Sequence, residues 1–276
     1  MGETTGISWC DATFNPWWGC AHVSPGCVNC YAEVLAKRYG NNVWGKSGGR
    51  RFFGDKHWDE PVIWNRKAEA AGVRRRVFCG SMMDVFEERE DLQEPRHRLM
   101  ELILATPQLD WLLLTKRPES VLGQVPWPEW AWPLNVWLGV SVEDQQRADE
   151  RIPKLLEIPA ALRFLSCEPL LGPVDIRSAL DRMEFERDDG TAAIYRPKLS
   201  WVIVGGESGP KSRPMNPDWA RTIQQRCSEA GVAFFAKQGS GPHSDRQYNL
   251  PDDVWRVRQW PKSPAAALVP EGKMFP

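Results

Sequence analysis

Cys20, Cys27 and Cys30 lie within one short stretch, Gly19-Cys20-Ala21-His22-Val23-Ser24-Pro25-Gly26-Cys27-Val28-Asn29-Cys30-Tyr31-Ala32. Thiolates are soft ligands, and three of them on a loop broken by Pro25 and Gly26 can surround one metal centre. Three donors rather than four leave a metal position open to a ligand that is not protein, and chemistry can take place there. His22 sits inside the same loop. As a fourth donor it would close the set into a structural zinc site, making the chain a zinc-binding interaction module. Cys10, Cys79, Cys167 and Cys227 read as structural thiols, with Cys79 and Cys167 near strand ends.

A second group of chemically able residues follows a series of apolar runs. Ser81 and Asp84, Thr115-Lys116-Arg117, Ser141 and Glu143, Cys167-Glu168, Gly205-Gly206-Glu207-Ser208 and Lys237-Gln238 each come just after one. If the runs are parallel strands of a barrel, these residues gather on the face where such barrels build active sites. Charge crowded at a barrel mouth loses hydration unless a ligand or partner compensates. Lys116 and Lys237 suit a carboxylate or phosphate, or salt bridges to Glu143, Glu168 or Glu207. A metal-free enzyme acting on an acidic small molecule through Lys116, Lys237 and Glu168 is a third reading. The glycines at 205, 206 and 209 permit close approach of the backbone to a ligand, or form an ordinary strand-to-helix turn. Arg50-Arg51 and Arg74-Arg75-Arg76 read as solvated charge or as a phosphate-binding edge.

The elements that must position these groups alternate. Strands are expected at Gly6–Trp9, Val77–Ser81, Trp111–Lys116, Val136–Ser141, Leu162–Cys167, Trp201–Gly206 and Val232–Lys237; most are apolar throughout, as in sheets covered on both faces. Helices are expected at Leu92–Ala105, Gln145–Leu156 and Asp218–Ala230, the last opened by Asn216-Pro217 and stopped by Gly231. The alternation gives an α/β fold, a partial or full (β/α) TIM-like barrel of parallel strands. Residues 1–276 read as a single barrel domain, with insertions at 40–72 and 181–198 and a Pro-rich C-terminal extension at 240–276 lying over the barrel.

Composition narrows the classes further. A net charge of −1 excludes a global basic field drawing in nucleic acid. No apolar run approaches the roughly 18 residues that span a bilayer, and the polar start Met1-Gly2-Glu3-Thr4-Thr5 lacks a signal-peptide core, so a cytoplasmic location is expected. In that reducing compartment, seven cysteines read as thiols or metal ligands rather than disulfides. Fifteen tryptophans against four tyrosines is an unusual ratio. Trp127, Trp130, Trp132 and Trp137 either pack one end of the fold or form a stacking surface.

Taken together, GISWCDATFNPWWGC, SPGCVNCYAE, FCGSMMDVF, LLLTKRPE, LGVSVED, LSCEPLLGP, VIVGGESG, SRPMNPDWAR and FFAKQG resemble the phage Gp37/Gp68 family of three-Cys-motif proteins. More broadly, they resemble the radical S-adenosylmethionine (SAM) superfamily. The resemblance implies a partial barrel whose Cys20, Cys27 and Cys30 hold a 4Fe-4S cluster, with the fourth iron taking the amino and carboxylate groups of SAM. Reduction would cleave SAM to methionine and a 5′-deoxyadenosyl radical, which abstracts hydrogen from a substrate. By position, Ser81 and Asp84 would lie near the SAM amino group. Lys116, Ser141, Glu143 and Glu168 would surround its carboxylate and ribose. Glu207, Ser208, Arg213, Lys237 and Gln238 would shape the substrate side, with Lys116, Glu168, Glu207 and Lys237 as catalytic groups. The resemblance also implies an external electron donor, a methyltransferase-like partner protein, a nucleic-acid or nucleoside substrate, and no membrane. Departures from the superfamily pattern are the long first gap of Cys-x6-Cys-x2-Cys, Asn29 where an aromatic is common, Tyr31 after the third cysteine, and Gly80-Ser81-Met82 at the second strand end. On this reading Cys27→Ala abolishes cluster loading but leaves the barrel folded, and Glu207→Gln affects turnover more than cluster content.

Overall fold

The computed structural model describes residues 3–180, 184–186, 192–194 and 199–268. In chain order the strands are β1 Ala12–Phe14, β2 Trp17–Trp18, β3 Arg51–Phe52, β4 Arg75–Cys79, β5 Leu109–Thr115, β6 Val136–Ser141, β7 Leu162–Cys167, β8 Glu184–Glu186, β9 Ala192–Ile194, β10 Trp201–Gly205 and β11 Ala233–Gln238. The helices are α1 Tyr31–Arg38, α2 Asp55–Ala70, α3 Gln93–Ala105, α4 Gln145–Glu157, α5 Arg177–Leu180, α6 Pro217–Ala230 and α7 Asp252–Trp255. One seven-stranded sheet runs β1-β4-β5-β6-β7-β10-β11, with every neighbouring pair parallel. Adding each new strand to the same edge curls the sheet into a partial (β/α) barrel.

The pleat divides each strand between two apolar layers. Phe78, Leu112, Trp137, Phe164, Trp201, Ile203 and Phe235 form the interior, while Val77, Leu113, Leu138, Leu165, Val202 and Phe234 face the helices. Residues 6–9, expected as a strand, do not form one; the first strand is Ala12–Phe14. The alternation of Ile7 and Trp9 has another cause, because both pack into the barrel interior. The Trp9 ring lies 4.5 Å from Phe78 and 6.0 Å from Trp201, bridging strands far apart in the sheet.

The seam between the sheet's two edges is covered by the C-terminal segment. Ala236 N donates to Val257 O and Gln259 N to Phe234 O, so this segment pairs with the free edge of β11. Trp260 then reaches across. Its ring meets Phe235 at 4.9 Å, Arg76 sits over it at 4.7 Å, and its indole N–H donates to Trp9 O.

The helices end where their residues dictate. Asn216 caps α6 by accepting from Asp218 N, Pro217 occupies its first turn, and Gly231 stops it at φ +67°. The 40–72 insertion contains α2, the crossover helix from β1 to β4, which buries Trp58, Pro61, Trp64, Asn65 and Ala68. The stretch before it folds around Arg50, whose fully buried guanidinium pairs with Glu87 at 2.7 Å and donates to Val43, Gly48 and Gly49 carbonyls. Gly19 is required beside it: φ is +115°, and a Cβ would stand 2.3 Å from Val43 O. Of the 181–198 insertion, β8 and β9 pair antiparallel, and the rest lies outside the described residues, as do residues 269–276 of the C-terminal extension.

Arg74, Arg75 and Arg76 are neither free nor arranged as a phosphate edge; they pair with Asp110, Glu3 and Asp11. Trp127 and Trp132 are buried edge to face, Trp137 is interior, and Trp130 is exposed. No helix among the described residues is long and apolar enough to cross a membrane.

Candidate active site

The cysteine loop lies across the C-terminal ends of the strands. It leaves β2, makes a short 3-10 turn over Pro25–Cys27, and enters α1 with Cys30 as the N-cap residue. Gly45 N donates to Cys20 O, joining the loop to the stretch organised by Arg50. Cys20, Cys27 and Cys30 are free, half-buried thiols, and all three line one cavity at the barrel mouth.

Three acid–base pairs hold the loop, two of them buried and the third with a partly exposed Arg213. On the first side, Asp84 accepts from Thr115 Oγ1, Lys116 N and Arg117 Nη1, and Arg117 Nη2 donates to Ala21 O at 2.9 Å. Arg117 Nη1 also lies 3.8 Å from Cys20 Sγ. In the middle, Glu143 is held by Arg151 at 2.9 Å and accepts from Gly26 N at 3.2 Å. On the far side, Glu207 accepts from Arg213 N, Arg213 Nε and Asn29 Nδ2 within 3.0 Å, and Arg213 Nη2 donates to Pro25 O. Tyr31 adds a fourth tie, its hydroxyl donating to Ser81 O at 2.8 Å.

This arrangement redistributes the residues expected to bind cofactor and substrate. Ser81, Asp84, Lys116, Ser141, Glu168, Glu207, Ser208 and Lys237 line the cavity beside the thiols. Glu143, Arg213 and Gln238 do not. Glu143 and Arg213 are occupied beneath the loop, and Gln238 is buried with its amide donating to Gly206 O. Glu207 and Arg213, expected on the substrate side, bond the loop through Asn29 and Pro25, while Glu207 also lines the cavity. The Asp84 carboxylate is likewise taken up by protein donors. Gly206 makes room for the protein rather than for a ligand: a Cβ there would lie 2.4 Å from Ser240 N.

Some cavity groups keep their capacity. The Lys116 ammonium has no hydrogen-bond or ion-pair partner among the described residues. Ser141 and Ser166 are register partners on β6 and β7, both buried and lining the cavity. Lys237 donates to Glu168 as a close pair on the far wall. Asn29, Tyr31, Arg117 and Arg151 work in the site without having been singled out by role. The signals available were Asn29 and Tyr31 as departures from the superfamily pattern, and Arg117 beside Lys116.

The electrostatics disfavour bare thiolates at the loop. Burial, with the nearby Asp84 charge, pushes the Cys20 thiol up to about 12, and burial also raises Cys30. Such thiols stay protonated near neutral pH unless a positive centre stabilises the thiolate. Among the described residues no three His, Cys, Asp or Glu side chains converge closely enough to hold a single ion. His22 instead bonds to Glu33 at 2.7 Å. Thiols spread around a cavity fit an iron–sulfur cluster, in which each thiolate takes its own iron.

A curled parallel sheet carrying three thiols over its C-terminal edge is the class of protein that fold and site define. The chain belongs to the family described as Protein of unknown function (DUF5131), whose model matches residues 4–264. The matching model carries that description rather than the Gp37/Gp68 label. No curated protein matches the chain. Similar solved structures include a spore photoproduct lyase variant with bound AdoMet and dinucleoside spore photoproduct, at TM-score 0.44 and 12% identity over 83% of this chain. The chain spans 64% of that lyase's length. A spore photoproduct lyase complexed with dinucleoside spore photoproduct is similar at TM-score 0.40 and 12% identity, over 77% of this chain and 59% of that one.

Proposed function

We propose that the chain is a radical SAM enzyme whose 4Fe-4S cluster is held by Cys20, Cys27 and Cys30. The observation that carries this reading is three half-buried thiols lining one cavity at the C-terminal ends of parallel strands, with His22, the other candidate donor of the loop, bonded to Glu33. When bound, the cluster supplies the electron that splits SAM into methionine and a 5′-deoxyadenosyl radical. The reading calls for an external electron donor.

The chain's own residues bind and orient. The Lys116 ammonium, next to the thiols and without a partner among the described residues, takes the carboxylate of the amino-acid moiety. Ser141 and Ser166 offer hydroxyls to the ribose. Lys237 and Glu168 form the pair able to move a proton to or from the substrate, with Lys237 as donor. Ser208 lines the substrate side. Glu207 belongs to the loop's anchorage.

Anaerobic reconstitution with iron and sulfide, followed by reduction with SAM, tests the reading. Chromatography should show 5′-deoxyadenosine from the native chain and none from Cys30→Ala. A colourless protein that binds one zinc tightly and yields no 5′-deoxyadenosine would refute it.

A further inference from the structure

We propose that the buried guanidinium of Arg117 donates to the Cys20 thiolate and so raises the reduction potential of the centre that the three thiols hold. The proposal rests on the cluster reading given above. Arg117 is on this account a positioning residue that acts through Cys20, not a catalytic one.

The guanidinium is held in place by the protein itself. Its Nη1 donates to Asp84 Oδ2 at 2.8 Å, and its Nη2 donates to Ala21 O at 2.9 Å. Glu87 Oε1 stands 4.0 Å from Nη2. Each terminal nitrogen of an arginine carries two hydrogens. Asp84 takes one of those on Nη1. The other is left for Cys20 Sγ, 3.8 Å away, a longer contact because sulfur is larger than oxygen. Arg117 is buried, so water does not compete for that hydrogen as it would at the surface.

The other two sulfurs have weaker neighbours. Cys27 Sγ lies 3.9 Å from the neutral Ser24 hydroxyl, and the Cys30 side chain caps no amide of α1. Among the described residues, Arg117 is the one charged side chain hydrogen-bonded to any of the three sulfurs. Hydrogen bonds to cluster sulfurs are among the levers that set an iron–sulfur potential. One-electron reduction adds negative charge to the iron–thiolate unit. A cationic donor therefore stabilises the reduced form more than the oxidised form, and burial strengthens the effect. Asp84 carries the opposite charge on the other side of the same guanidinium. The two residues of this pair accordingly push the potential in opposite directions.

Potentiometric titration of the reconstituted full chain tests this, with dithionite supplying the electron, EPR reading the reduced fraction and iron counted in every sample. Arg117→Gln should lower the midpoint by about 59 mV. That is a tenfold smaller reduced-to-oxidised ratio at a fixed poise, the worth of about one charge-assisted hydrogen bond. Arg117→Lys keeps the charge but loses the fork, and should fall between native and Arg117→Gln. Asp84→Asn should move the midpoint upward, because the guanidinium then acts unopposed. A residue that only braces the loop gives no such opposition of sign. A native chain that takes up no iron would sink the cluster reading and this assignment with it. Iron-loaded chains with one common midpoint, or with Arg117→Gln and Asp84→Asn shifted the same way, would overturn the Arg117 assignment alone. Failure of both Arg117 variants to load iron would make the residue structural and overturn it as well.

Discussion

Replacing Glu207 with glutamine tests whether the charge at the barrel mouth is spent on the cysteine loop. The native carboxylate accepts from Arg213 N at 2.8 Å, from Arg213 Nε at 3.0 Å and from Asn29 Nδ2 at 2.8 Å, and pairs with Arg213 Nη2. Glutamine keeps the shape and one acceptor oxygen, but turns an NH2 toward a guanidinium. A hydrogen bond to a charged partner is worth about 1 kcal/mol more than a neutral one. Arg213 is 33% exposed, so part of that gain is screened. Over the Arg213 bonds the loop loses about 2 kcal/mol, roughly a thirtyfold rise in local opening. Hydrogen exchange of the metal-free chain reads this directly: residues 26–31 should exchange faster while β5 and β6 keep their protection. Iron loading should weaken with it, which reverses the expectation, drawn from the sequence, that turnover suffers more than cluster content. Unchanged loop exchange together with lost turnover would return Glu207 to the substrate and refute the reasoning. Acid should release the same anchor. Burial raises the Glu207 pKa, but Arg213 and Asn29 outweigh it and hold the carboxyl below 4.5. Its contribution is therefore full above the unfolded value and lost as pH falls through the lower folded one. Loop opening, read as exchange divided by the intrinsic amide rate at each pH, should rise on acidification below about pH 4.5 in the native chain and stay flat in Glu207→Gln.

Other expectations concern the frame. Arg50→Ala leaves the buried Glu87 carboxylate with only Arg117, 4.0 Å away, as its ion-pair partner among the described residues, and should lower unfolding free energy by about 3 kcal/mol in urea titration; a loss under about 1 kcal/mol would contradict the description of that pair. Gly139→Ala would place a Cβ 2.4 Å from the Phe164 ring inside the barrel, and should destabilise by about 1–3 kcal/mol or more by the same titration. Cys27→Ala should abolish iron uptake yet melt within about 0.5 kcal/mol of the metal-free native chain, because the thiol lies outside the core strands. Trp260→Ala should loosen the seam by about 2 kcal/mol, seen as faster exchange along β11 and at Trp9 while β5 and β6 are unchanged.

Much of the frame could be read from the chain because its strands are buried on both faces. Runs such as Val136–Ser141 and Leu162–Cys167 have the bounds expected, and Asn216-Pro217 and Gly231 mark α6. Two segments misled for identifiable reasons. Ile7 and Trp9 alternate because both fill the barrel, which periodicity cannot distinguish from a pleat. Pro61 and the charges of Asp55–Glu60 hid α2, although Trp58, Pro61, Asn65 and Ala68 repeat at helical spacing. At the site, thiol spacing and the polarity of the strand ends were legible, whereas the partner of each charge was not. Glu143 and Glu207 look alike in sequence to groups awaiting a ligand. Only the fold shows Gly26 and Asn29 arriving at them, from the other end of the chain.

Those distances along the chain set an order of assembly. Asn29 meets a residue 178 positions later, and Pro25 one 188 positions later. A ribosome exposes the cysteines early, but the seat that spaces them is finished only when the β10 region has emerged and docked. Until then a metal donor would meet three loose thiols, competent for adventitious ions. On the proposed cluster reading, iron delivered after synthesis would find the completed seat, and the far-side anchor would make cofactor insertion a late checkpoint on folding.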